Sequence, residues 1–136
     1  MVRVPEMSTI VVSAVALVRD GAVLTVRKAG TQRFMLVGGK PEPGESAAEC
    51  VVRETREETG LELGDLSLVG EFESEAANEP GHRLHSTVYA AQVPGEPVPA
   101  AEIAEIRWTD LYGTYGDLAP MLEFNVLPIL RAHHPR

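Results

Sequence analysis

Three glutamates, Glu54, Glu57 and Glu58, fall on one side of any helix that spans them. With Glu54 at zero and 100° per residue, Glu58 stands at about 40° and Glu57 at about −60°. Like charges at these spacings oppose one another, by roughly a few tenths of a kcal/mol per pair. Glu57 and Glu58 would also sit in a last turn, where the helix dipole disfavours anions. A hard divalent cation with oxygen ligands reverses both penalties. A solvated acidic face is the bland alternative, so the neighbouring residues must decide.

Those neighbours define the helix. Ser46 and Glu49 form an S-x-x-E capping box, and Gly60 followed by Leu61 supplies a left-handed stop with an apolar contact beyond it. Residues 47–59 contain neither Pro nor Gly. Val51, Thr55, Ala48, Thr59 and Val52 make the stripe that faces a core, while Arg56 and Glu49 point to water. One turn before the glutamates the same face carries only Cys50 and Ala47. Side chains this small let the Gly39–Glu45 loop lie across the helix and bring backbone carbonyls toward the same cation.

The whole stretch reads G-x5-E-x7-R-E-T-x-E-E-T-G-L, from Gly39 to Leu61. It resembles the signature box of the Nudix hydrolases, the MutT-like pyrophosphohydrolases. Seven of these positions, Gly39, Glu45, Arg53, Glu54, Glu57, Glu58 and Gly60, recur together by chance at roughly one in 10^8 per start, which makes the match specific. Two positions depart from the family pattern. Thr55 stands where an aliphatic residue is usual, and Val37 stands where Pro often precedes the glycine pair.

The resemblance implies a mixed β-sheet sandwiched between helices, an α+β fold. It also implies hydrolysis of a diphosphate linked to another moiety, with Mg²⁺ or Mn²⁺ as cofactor. Carried over residue by residue, it makes Glu57 and Glu58 the leading metal ligands. Glu54 becomes a further ligand or the group that orients water. Glu45 reaches the same metal directly or through water, the Gly39 carbonyl is a backbone ligand, and Arg53 forms an orienting ion pair with a box glutamate. A further acid outside the box fits Glu105 best and Glu102 next, with surface charge as the alternative for both. Arg27 and Lys28 end a strand where a basic residue contacts substrate phosphate in such proteins; a solvated edge is the ordinary reading. Asn125 is either a reader of a base edge or a plain helix-surface amide.

Of the implied substrates, a nucleoside triphosphate (oxidised forms such as 8-oxo-dGTP included) comes first, giving the monophosphate and pyrophosphate. ADP-ribose or a nucleotide sugar comes second, because Ala77 stands where the ADP-ribose enzymes tend to carry proline. A ligand-sensing module without catalysis is the third reading, although every acidic position of the box is present.

Composition narrows the class. The 136 residues suit one domain, 1–136, with 44% hydrophobic and 24% charged residues. A net charge of −8 argues against nucleic acid or an anionic membrane as partner, and a bound cation reconciles it with an anionic small-molecule nucleotide. A single cysteine, Cys50, excludes an internal disulfide. The apolar run Thr9–Val18 is too short to span a bilayer and lacks a cleavage site, so a buried strand and a cytoplasmic protein are expected. A monomer or homodimer is equally compatible with the sequence.

Around the box, residues 1–8 read as a loose arm. Ile10–Val18 and Ala22–Lys28 read as strands joined by the Asp20-Gly21 hairpin signal. Phe34–Val37 is a short strand leading into a Gly38-Gly39 turn. Leu66–Glu73 and His85–Val93 suggest a second hairpin, and Glu105–Thr109 a last strand bearing Trp108. Leu118–His133 reads as a closing helix that Pro128 must kink or split. His82 and His85 lie at a polar strand end, and His133 and His134 in a C-terminal tail.

Overall fold

The structure is a computed structural model and describes residues 9–77 and 79–136. The arm expected at residues 1–8 lies outside the described residues. The near-continuous apolar run becomes β1 (Thr9–Arg19). Asp20 and Gly21 take φ values of 52° and 76°, the pair of left-handed residues that matches the twist of a tight hairpin. The chain then returns as β2 (Ala22–Lys28), with Val18 opposite Val23.

The remaining elements are β3 (Met35–Gly39), α1 (Ala47–Thr59), β4 (Ser67–Glu75), β5 (Arg83–Ala91), β6 (Ile103–Asp110) and α2 (Leu127–His133). Among the described residues the strands form one sheet in the order β4-β5-β1-β3-β2-β6. β1 lies inside it, parallel to β5 and antiparallel to β3. That position demands apolar side chains on both faces. Ala14 and Ala16 pack with Leu36, Val88, Leu122 and Val126, whereas Val15 and Leu17 pack with Val37, Val51 and Leu61. α1 thus covers one face and the C-terminal helical segment the other, which is the expected α+β arrangement. β4 and β5 pair antiparallel as the second hairpin.

β4, β5 and β6 begin and end one or two residues from the sequence reading, and three further boundaries differ from it for tertiary reasons. The Gly38-Gly39 pair is no turn: both residues stay in β3, opposite Ala14 and Ser13 of β1. Phe34 sits outside β3 and bridges in parallel to Leu118. Leu118 is therefore committed to that bridge, and the helical segment starts at Met121. The helical run is continuous through Pro128 and changes its winding just before it. Met121–Val126 is a wide π-helical stretch whose end is marked by the Leu127 N–H reaching the Leu122 carbonyl five residues back. α2 then follows with Pro128 in its first turn, where no N–H is needed.

Candidate active site

α1 forms where its caps place it. Ser46 Oγ accepts from the Glu49 N–H at 3.1 Å, and Glu49 Oε1 accepts from the Ser46 N–H at 3.0 Å. Gly60, at φ 75°, donates its N–H to the Arg56 carbonyl at 2.9 Å. Thr55, the departure from the family pattern, is fully buried and donates its hydroxyl to the Val51 carbonyl at 2.6 Å. The hydroxyl therefore enters the core already satisfied. Val37, the other departure, is equally buried and packs in the α1-side core.

The carboxylates of the helix and of the loop before it occupy unlike environments. Arg53 gathers one set: its Nε and Nη2 donate to Glu45 at 2.8 and 2.9 Å, and its Nη1 donates to Glu54 at 3.0 Å and Glu57 at 3.2 Å. Nη2 also donates to the Lys40 carbonyl at 3.2 Å. The guanidinium holds Glu45 down at about 2, well below the usual carboxylate range. Glu58 lies apart and is 1% exposed. Its Oε1 accepts from the Gly38 N–H at 3.2 Å, while its buried Oε2 has no partner. Burial pushes this carboxyl up to about 7. Burial also raises Glu54, against the opposing pull of Arg53.

The glycine pair explains how these groups come close. A Cβ on Gly38 would stand 2.1 Å from the Ser13 carbonyl oxygen, and one on Gly39 would stand 2.4 Å from the Glu54 carboxyl carbon. Only bare backbone fits between β1 and the helix. The loop does lie across the small residues of α1, and the thiol of buried Cys50 donates to the Gly39 carbonyl at 3.4 Å.

Two observations fit a divalent cation. The unpartnered Glu58 oxygen faces no donor, and Arg53, the counter-charge of the cluster, donates to Glu45, Glu54 and Glu57 without reaching Glu58. Among the described residues no three His, Cys, Asp or Glu side chains already converge as a metal cage. Arg53 stands between the carboxylates in that role.

A cleft of about 420 Å³ opens beside Gly38, Gly39 and Glu54. Lys28, Lys40 and Glu102 also line it, together with apolar side chains that include Met35, Leu36, Leu84 and Met121. Lys28 pairs with Glu102 at 3.3 Å. Arg27 pairs with Glu105 at 3.3 Å, and neither lines the cleft. Sequence spacing ranked Glu105 ahead of Glu102. The structure brings Glu102 to the cleft instead, where the β2–β6 register shifts between Arg27 and Lys28. Glu57, the most open of the box glutamates at 53% side-chain exposure, is held by Arg53 and is not among the cleft-lining residues. Asn125, His82, His85, His133 and His134 also lie off the cleft lining. His85 stands between Glu71 and Glu73 at 3.2 and 3.6 Å.

Sequence reasoning missed Lys40 and Glu79, which pair at 3.5 Å and both line the cleft. Lys40 could have been found as the residue after Gly39, but Glu79 reaches the cleft only through the β4–β5 hairpin.

The model of the NUDIX domain matches residues 7–121. The chain belongs to the Nudix hydrolase family. A NAD-capped RNA hydrolase NudC from Pseudomonas aeruginosa is 39% identical to this Nudix chain over 80 residues, covering 57% of it and 27% of NudC. The chain thus spans about a quarter of the length of that relative. A Bacillus subtilis protein provisionally named as an 8-oxo-dGTP diphosphatase is 28% identical over 86 residues, covering 63% of this chain and 56% of that protein. The crystal structure of a MutT NUDIX hydrolase from Burkholderia pseudomallei matches with a TM-score of 0.71 at 26% identity, over 82% of this chain and 90% of that one. No helix among the described residues is long and apolar enough to cross a membrane.

Proposed function

We propose that this chain hydrolyses a nucleoside triphosphate, oxidised forms included, to the monophosphate and pyrophosphate, using Mg²⁺ or Mn²⁺. The reading treats residues 1–136 as one catalytic domain working in the cytoplasm. The observation that carries it is the buried, unpartnered oxygen of Glu58, set beside Glu54 at the glycine end of β3.

Glu54, Glu57, Glu58, Glu45 and the Gly39 carbonyl would hold the metal. When bound, the metal neutralises phosphoryl oxygens and lowers the pKa of the attacking water. The chain's own residues do the rest. Arg53 fixes Glu45, Glu54 and Glu57 relative to one another, so the carboxylates are oriented before substrate arrives. Lys28 and Lys40 present cations to the cleft and suit phosphate oxygens, each first releasing its glutamate partner. Glu102 supplies the acid from outside the box, in place of Glu105. The apolar lining takes the group attached to the phosphates and keeps water away from it. The Bacillus relative's provisional name supports the triphosphate reading.

The NudC relative favours a second reading, cleavage of the diphosphate in a dinucleotide, ADP-ribose or a nucleotide sugar. A panel of dNTPs, 8-oxo-dGTP, ADP-ribose, NADH and a dinucleoside polyphosphate, with Mg²⁺ or Mn²⁺, separates the two. Glu57→Gln serves as the blank because its exposed side chain leaves packing untouched. Pyrophosphate release from a triphosphate is expected. Activity confined to ADP-ribose or NADH would replace the first reading with the second, and a folded, inactive chain would point to a ligand-sensing module.

A further inference from the structure

Arg107 on β6 anchors a network that the proposed chemistry does not use. Its Nη1 and Nη2 donate to the two Asp117 carboxylate oxygens, each at 2.9 Å, and its Nε donates to Thr109 Oγ1 at 3.1 Å. The guanidinium lies over the Phe34 ring at 3.8 Å and the Tyr115 ring at 4.8 Å. Thr109 is fully buried, and its hydroxyl lies 2.9 Å from that of Thr25 on β2. A cation that is bidentate on one edge and stacked on its faces has a single orientation, and an ammonium cannot reproduce it.

The held group leads to one wall of the cleft. The Asp117 carbonyl accepts from the Phe34 N–H at 2.8 Å, and the Ala119 N–H donates to the Phe34 carbonyl at 2.8 Å. Arg33 adds a bond to the Leu118 carbonyl at 2.8 Å. The next residues, Ala119, Pro120 and Met121, line the cleft. Met121 shares its apolar cluster with Leu36 and Leu84, which line the cleft as well. The polar lining is supported elsewhere: Lys28 pairs with Glu102, and Glu54 with Arg53.

We propose that Arg107, acting through Asp117, is a positioning residue for this apolar wall. It sets affinity for the group attached to the phosphates and leaves affinity for the phosphates themselves unchanged. The inference rests on the cleft being the substrate site of the proposed hydrolase.

The test compares two product inhibitors, the nucleoside monophosphate of the best substrate and inorganic pyrophosphate, on wild type, Arg107→Lys and Asp117→Asn. Both variants should bind the monophosphate about tenfold more weakly and show a matching rise in KM, with kcat nearly unchanged. Inhibition by pyrophosphate should stay at the wild-type level. Equal weakening of both inhibitors would mean a general loss of structure and would overturn the inference, as would no change in either. If one variant does not fold, the other carries the same comparison. A wild-type chain that cleaves no phosphoanhydride removes the proposed function itself, and this inference with it.

Discussion

Glu45 and Glu58 belong to the same acidic cluster, yet they sit in opposite electrostatic situations. Glu45 is gripped by Arg53 and held down at about 2, whereas Glu58 is buried with one free oxygen and pushed up to about 7. Arg53 compensates Glu45, Glu54 and Glu57 and does not reach Glu58. The difference teaches that one guanidinium can organise such a cluster without neutralising it. Under the proposed function, the uncompensated member is where a bound cation would be stabilising.

Neutralising the cleft-lining partner of Arg53 should break this comparison most severely. Glu54→Gln is expected to lower kcat/KM by about 10^3-fold with the circular dichroism spectrum unchanged, because it removes charge at the proposed reacting centre. Wild-type turnover in that variant would show that the cleft-lining carboxylate is not part of the chemistry. The other face of the sheet gives the contrast. Leu122 is fully buried there, and Leu122→Ala should cost about 2–5 kcal/mol in denaturant unfolding while the folded fraction keeps its kcat.

The two carboxylates also predict opposite pH responses in metal-free protein. The folded state holds a proton on Glu58 between the ordinary 4.5 and about 7, so stability should fall as pH rises through that window. The drop is about 3 kcal/mol at about 1.36 kcal/mol per pKa unit, and Glu58→Gln should flatten it. Glu45 runs the other way: its pairing contributes stability above 4.5 that is lost as pH falls toward about 2. Denaturant midpoints measured from pH 4 to pH 8 would read the first effect, and a wild-type profile identical to that of Glu58→Gln would remove it. The smallest effect is expected at the cap. Ser46→Ala loses the bond to the Glu49 N–H and should cost about 1 kcal/mol, read as a lower thermal midpoint.

Much of α1 was legible beforehand because its signals are local. The capping box, the Gly60 stop and the buried stripe through Val51, Thr55 and Thr59 all act within a few residues of one another. The cover on both faces of β1 was legible too, since a run apolar on both faces needs it, but its place between β5 and β3 was not. The end of β3 was not, because glycine is ordinarily read as a turn former. Here it serves a close approach to Ser13 and Glu54 that exists only after the sheet and helix have packed. The choice between Glu102 and Glu105 was hidden for a related reason. It follows which strand lies beside β6, with Glu105 opposite Arg27 off the cleft and Glu102 beside Lys28 within it, and spacing along the chain does not encode that partner.

The sequence by itself determined that three glutamates share a helix face, that the helix starts and stops where it does, and that the chain carries the Nudix box. Those are consequences of 3.6-residue periodicity and of caps, which need no distant partner. Only the tertiary structure decided which carboxylate would be left uncompensated. The Gly38 N–H that holds one Glu58 oxygen comes from a strand 20 residues away, and the burial that isolates the other oxygen comes from packing α1 onto the sheet. Desolvation depends on the atoms that surround a group in space, and spacing along the chain does not encode them.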